Sequence, residues 1–261
     1  MTWLDAFVLG LVQGLSEFLP ISSSGHLVMA QWLLGVPTPG ILLEVVLHVA
    51  TLLSVVWVYW RQLLDLARGA LAGRRDAWRY IGLLALASVP AGVVGVFFQD
   101  AVERAFETPA VTGVMLLVTG GILLSTRYPV ATGRRRGIGA GGALAMGVAQ
   151  AFAILPGVSR SGTTISAGLW GRIEAPAAAQ FSFLMSLPAI AGAALLQALD
   201  LERAPALHWG ALGLAFATAL VSGVAAIRWL LWLVRRQAFH LFAYYVWVVG
   251  AAFLALLWWR G

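Results

Sequence analysis

Gln13 and Glu17 stand four residues apart in an apolar run, so they share one helical face, and Pro20 ends that helix just beyond them. A carboxylate placed there has two chemistries open to it. It can ligate a divalent cation, with the Gln13 amide oxygen as a neutral second donor, or it can take a proton during catalysis. Ser22, Ser23, Ser24, Gly25 and His26 follow at once. At the start of a second half-helix, such a cluster would meet an anion with free N–H groups and partial positive charge. Ser23 or His26 is then a candidate nucleophile toward phosphorus, with the other assisting proton transfer. The plainer alternative is a serine-rich cap with a His facing water.

A second cluster, Ser159-Arg160-Ser161-Gly162-Thr163-Thr164, puts an arginine at the predicted depth of the bilayer middle. Its guanidinium is a planar fork of donors suited to phosphate oxygens, and it is equally able to neutralise Glu17 as a structural ion pair. Ionisable groups at that depth cost about 2.5–3.5 kcal/mol each on insertion scales, which makes them functional candidates by default. Glu44, His48 and Thr51 follow one helical face of a later apolar segment and read as a satisfied polar set that could line the same cavity.

The elements that must position these groups are membrane helices. Of 261 residues, 61% are hydrophobic and 11% charged, and the mean hydropathy is +0.87. A soluble domain of this length could not cover such a surface. Six segments, about 41–60, 78–98, 109–125, 177–199, 209–234 and 239–259, are long and apolar enough to cross a hydrocarbon core of ~30 Å. Residues 1–35 and 138–171 are instead apolar runs interrupted by the Pro, Ser and Gly clusters, and each half is too short to cross alone. Backbone bared at membrane depth survives only where protein or a water-filled cavity satisfies it, which predicts two re-entrant helical hairpins.

Cysteine is absent, and 17 arginines, with no lysine, stand against 11 acids in short loops between spans. That pattern excludes a disulfide scaffold, a disordered chain and a nucleic-acid binder. An acid, Asp5, and no basic stretch precedes the first apolar run, so this segment is expected to belong to the mature fold rather than to a cleaved signal peptide. Trp57, Trp60, Trp258 and Trp259 near span ends read as interfacial anchors, and the glycine-rich stretch 137–147 as close helix packing.

Gln13 and Gln150, Ser22 and Ser159, Ser24 and Ser161, and Gly25 and Gly162 all pair at one offset of 137 residues, and the same offset carries the first three spans onto or near the last three. The chain therefore reads as a single membrane domain, 1–261, built of two repeats at about 1–125 and 138–261. Three spans per repeat make the second enter with opposite orientation, giving an all-α, polytopic, inverted-topology repeat of six transmembrane helices and two hairpins. Segments 61–77, 126–137, 172–176 and 235–238 collect Arg61, Arg68, Arg74, Arg75, Arg127, Arg134, Arg135, Arg136, Arg172, Arg235 and Arg236. The opposite face holds Arg104, Arg203 and Arg260 beside Asp100, Glu103, Glu107, Asp200 and Glu202. The arginine-rich face is therefore expected to be cytoplasmic, with both termini outside and the first hairpin entering from outside.

These motifs resemble the undecaprenyl-diphosphate phosphatase family associated with bacitracin resistance in bacteria. Gln13-Gly14-Leu15-Ser16-Glu17-Phe18-Leu19-Pro20 is similar to its Glu/Gln-x-x-x-Glu signature, and Ser22-Ser23-Ser24-Gly25-His26 follows at the family's distance. Pro156-Gly157-Val158-Ser159-Arg160-Ser161-Gly162 resembles its second signature, with Thr164 at a further polar position. Gln13 stands where many members have Glu. The resemblance implies removal of the terminal phosphate from undecaprenyl diphosphate, which recycles the lipid carrier of peptidoglycan synthesis, with a divalent cation (Mg²⁺ or Ca²⁺) required. It implies Glu17 as metal ligand or acid/base, with Gln13 beside it at the metal, and Ser23 and His26 as nucleophile candidates. Arg160 with Ser24, Gly25, Ser159, Ser161 and Thr164 would hold phosphate. The expected location is the bacterial inner membrane with the site opening to the periplasm; the partners are the polyprenyl diphosphate and membrane lipids, no nucleic acid, and a homodimer is left open. The type 2 phosphatidate phosphatases also use Ser-Gly-His and Ser-Arg elements, but no His follows Ser159-Arg160 through Leu199. The competing function is a secondary transporter or flippase for an anionic lipid, because inverted repeats with broken helices also build transporters.

Overall fold

A computed structural model describes residues 1–34, 40–127, 137–199 and 208–260, and every regular element among them is helical. In chain order these are α1 (Trp3–Phe18), α2 (Ser23–Leu34), α3 (Gly40–Val58), α4 (Trp60–Leu71), α5 (Arg75–Phe97), α6 (Gln99–Phe106), α7 (Pro109–Ser125), α8 (Ala140–Phe152), α9 (Arg160–Trp170), α10 (Ala175–Leu199), α11 (Trp209–Arg235) and α12 (Phe242–Arg260), the last preceded by a 3-10 turn at Phe239–Leu241. Four of them, α5, α10, α11 and α12 with its leading turn, are long and apolar enough to cross a membrane. The pairs α3–α4 and α6–α7, bent by 76° and 96°, raise the number to as many as six.

Each segment expected to span lies on a helix. Two segments expected only as connections are helical too. Residues 61–77 are largely α4, which turns Arg61, Asp65 and Arg68 outward and buries Gly69. Such a short amphipathic helix fits the membrane surface, and with Arg61, Asp65 and Arg68 among its leucines it is too brief and too charged to register as a span. The stretch between α5 and α7 holds α6 for the same reason. Arg74 closes the α4–α5 turn by bridging Asp65 at 3.3 Å and Asp76 at 2.6 Å. Of the charges used to assign sidedness, Arg134, Arg135, Arg136, Asp200, Glu202 and Arg203 lie outside the described residues.

Both interrupted runs break where the serine clusters stand. In α1, Thr2 caps the start, accepting from the Asp5 amide at 3.1 Å while its own amide donates to the Asp5 carboxylate at 2.7 Å. Pro20 cannot continue the helix, Leu19 is already extended, and α2 starts afresh at Ser23. The second run stops at Phe152, turns through Gly157 at φ +90°, and restarts at Arg160, where Ser159 caps α9 by accepting from the Gly162 amide at 3.1 Å. Gly157 is required twice over: its φ is left-handed, and a Cβ there would collide with the Thr112 carbonyl.

Packing places the breaks against each other. Helix α1 lies along α11, and α8 lies along α5; α3 packs on both α10 and α11, α10 also on α5, and α7 on α12. At Gly10 the backbone of α1 meets the Ala215 carbonyl, and at Gly147 that of α8 meets the Ala87 carbonyl, so neither site has room for a methyl group. The outer surface is apolar: Val89, Val93, Val96, Trp57, Val221, Val248 and Trp258 are exposed, as expected where lipid tails replace water as solvent.

Candidate active site

The end of α1 and the start of α9 meet at Glu17. Its Oε1 pairs with the Nη2 of Arg160, 143 residues away. Its Oε2 accepts from the Ser23 hydroxyl at 2.7 Å and from the Gln13 amide nitrogen at 3.1 Å. Gln13 and Glu17 are buried, and the Arg160 side chain is nearly so. One guanidinium nitrogen is thus spent on Glu17, whereas Nη1 is buried with no hydrogen-bond partner. A buried unpaired donor costs about 1–3 kcal/mol, more when charged, so it marks a place where an incoming acceptor gains most. The ion-pair reading of Arg160 and the phosphate reading are compatible, because they use different nitrogens.

The serines around this centre hold its shape. Ser22 Oγ and Ser24 Oγ are 3.3 Å apart, as are Ser159 Oγ and Ser161 Oγ. Ser22 accepts from the Gly25 amide at 3.4 Å, just as Ser159 accepts from that of Gly162. The two clasps then cross. Ser161 donates to the Leu19 carbonyl at 3.1 Å, and Ser24 accepts from the Gly157 amide at 3.4 Å. Thr164 donates to the Arg160 carbonyl at 2.7 Å and meets Ser182 of α10 at 2.6 Å. Ser159, Ser161 and Thr164 are fully buried.

His48 Nδ1 meets the Glu44 backbone carbonyl at 2.9 Å, and the Thr51 hydroxyl donates to the Leu47 and His48 carbonyls, so these two groups find partners within α3. Gln150, the offset counterpart of Gln13, is buried with neither amide atom partnered. Three contributors escaped sequence reasoning. Thr119 of α7 donates to the Gly157 carbonyl at 3.0 Å and accepts from the Ser159 amide at 3.1 Å; Ser182 anchors Thr164; and Tyr245 engages His26. A threonine or serine inside an apolar helix gives no signal of its own, since most bond a carbonyl of their own preceding turn.

Among the described residues no three His, Cys, Asp or Glu side chains come together. The Glu17 carboxylate, whose oxygens already meet Arg160, Ser23 and the Gln13 amide nitrogen, and the Gln13 amide oxygen are hard ligands of the kind Mg²⁺ or Ca²⁺ takes.

A multi-pass helical membrane protein with a carboxylate, a hydroxyl and an arginine gathered at broken helices is equipped for chemistry on a phosphorylated lipid. Residues 6–252 match the family described as bacitracin resistance protein BacA, and the chain belongs to that family. It is similar to the undecaprenyl-diphosphatase of Desulfatibacillum aliphaticivorans, with 40% identity covering 97% of this chain and 98% of the relative. The undecaprenyl-diphosphatases of Desulforudis audaxviator and Moorella thermoacetica are each 41% identical to it, covering 98% of both chains and 100% of both chains, respectively.

Proposed function

We propose that the protein hydrolyses undecaprenyl diphosphate to undecaprenyl phosphate and inorganic phosphate, returning the lipid carrier to cell-wall synthesis. The observation that carries this reading is the Glu17 carboxylate, which holds the Ser23 hydroxyl at 2.7 Å and one nitrogen of Arg160 while the other lies buried and unpartnered. Ser23 Oγ attacks the terminal phosphorus as its proton passes to Glu17 Oε2. The bond to the bridging oxygen breaks, and undecaprenyl phosphate leaves with the proton that Glu17 relinquishes. Water then attacks the phosphoserine, giving one proton to Glu17, which returns it to Ser23 as inorganic phosphate departs. Arg160 Nη1 meets the charge that grows on the phosphoryl oxygens. Ser24, Gly25, Ser159, Ser161 and Thr164 serve the phosphate by fixing the two helix starts that face it. Glu17 and Gln13 would hold Mg²⁺ or Ca²⁺, which would supply neutralisation of diphosphate charge when bound.

The finer architecture belongs to the same reading: six spans and two re-entrant hairpins in two inverted repeats. It is supported by the 137-residue offset and by helix packing in exchanged pairs, α1 on α11 with α8 on α5, and α3 on α11 with α10 on α5. The arginine-rich face is cytoplasmic and the site opens to the outer side of the inner membrane, an assignment supported by Arg61, Arg68, Arg74, Arg172, Arg235 and Arg236.

Purified protein given undecaprenyl diphosphate and Mg²⁺ or Ca²⁺ is expected to release inorganic phosphate, and Ser23→Ala to abolish the release. Movement of the intact lipid across vesicles without phosphate release would overturn the reading in favour of a transporter.

A further inference from the structure

The His26 ring is engaged at both nitrogens. Nδ1 lies 2.9 Å from the Ser22 carbonyl oxygen, and Nε2 lies 2.8 Å from the hydroxyl of Tyr245 in α12. A carbonyl only accepts, so Nδ1 carries a hydrogen. The tyrosine ring also stacks on the imidazole, with centroids 5.6 Å and planes 12° apart. The carbonyl that His26 holds belongs to a residue in an unusual state: Ser22 has φ +69°, which costs an L side chain about 1–2 kcal/mol. The His26 amide bonds the same carbonyl at 3.2 Å, and the next residue along the chain is Ser23.

We propose that Tyr245 is a positioning residue for the attack by Ser23: it fixes the His26 ring, the ring holds the Ser22 carbonyl, and the left-handed turn so held aims the Ser23 hydroxyl at Glu17. The proposal rests on the reading of Ser23 as the attacking group. It also gives His26 a task other than nucleophile, since Nε2 is occupied by the tyrosine.

The test is a double-mutant cycle on the full-length protein, measuring phosphate release from undecaprenyl diphosphate in detergent micelles for wild type, Tyr245→Phe, His26→Ala and the double variant. Tyr245→Phe keeps the stacked ring of a half-exposed residue and removes one oxygen, so folding is retained. Removal of one neutral hydrogen bond is expected to lower kcat about fivefold with KM unchanged. In the His26→Ala background the same change should have no further effect, because the tyrosine acts only through the imidazole. A Tyr245→Phe enzyme with wild-type kcat, an effect confined to KM, or an equal loss in both backgrounds would each overturn the proposal. Wild-type phosphate release in the same series is a separate readout: its absence would refute the activity itself, whatever the variants do.

Discussion

Arg160→Lys separates charge from geometry at the centre of the site. The guanidinium uses Nη2 on Glu17 and keeps Nη1 buried without a partner, so one side chain can serve the carboxylate and the phosphoryl group together. Lysine keeps the positive charge but has a single nitrogen at its tip. Its three donors radiate from that one atom, so it cannot reach Glu17 and the phosphoryl group at the spacing the two guanidinium nitrogens span. Losing the fork weakens or removes a charge-assisted hydrogen bond worth about 1.5–3 kcal/mol. If that bond is strongest when charge has moved onto the transferring oxygens, the penalty falls on kcat, by about 10²-fold for ~2.7 kcal/mol. The assay is the initial rate of phosphate release across a range of undecaprenyl diphosphate concentrations, normalised to folded protein. KM should change far less than kcat. A lysine enzyme whose kcat stays within about threefold of wild type, ~0.7 kcal/mol, would refute the two-nitrogen argument.

Three further outcomes follow from the same geometry. Glu17→Gln keeps one acceptor oxygen but removes the base for Ser23 and the counter-charge of a buried arginine; it should abolish phosphate release and destabilise the fold by about 3–5 kcal/mol, and a thermal melt equal to wild type would contradict the ion pair. Gly157→Ala meets a left-handed backbone and the Thr112 carbonyl together, so a destabilisation of about 3 kcal/mol or more is expected in denaturant unfolding, and a variant as stable as wild type would count against the turn. Cysteines at Ser24 and Ser161 should be joined by a short bifunctional thiol reagent, because these serines reach Gly157 and Leu19 in the opposite break; no cross-link in folded protein would show that the breaks do not meet.

Hydropathy made the long helices legible because lipid demands apolar side chains on almost every outward position, as Val89, Val93 and Val96 illustrate on α5. The two breaks were legible through Pro20 and Gly157, and Glu17 and Arg160 through the cost of ionised groups at that depth. Helices α4 and α6 were not, since they carry surface charge at the density of a loop. Tyr245 was hidden for a different reason. Beside Tyr244 near the start of the last span it has the look of an interfacial anchor, and only the fold brings it to His26 across 219 residues. The division of labour among the serines was equally out of reach, because Ser161 acts on a carbonyl 142 residues away.

The matching serine clasps have an evolutionary corollary. Ser23 and Arg160 occupy the same place in the two breaks, one residue after Ser22 and Ser159 and 137 residues apart, and both reach one carboxylate, Glu17. Position 154, where a second carboxylate would stand, is Ile154. Two identical short chains could assemble such clasps, but each would bring the same residue to that place, two hydroxyls or two guanidiniums. On the proposed reading of two repeats, one polypeptide lets mutation specialise each copy separately, so that one break carries the Ser23 hydroxyl and the other the Arg160 cation. Covalent linkage would thus free a symmetric scaffold to build a directional reaction centre.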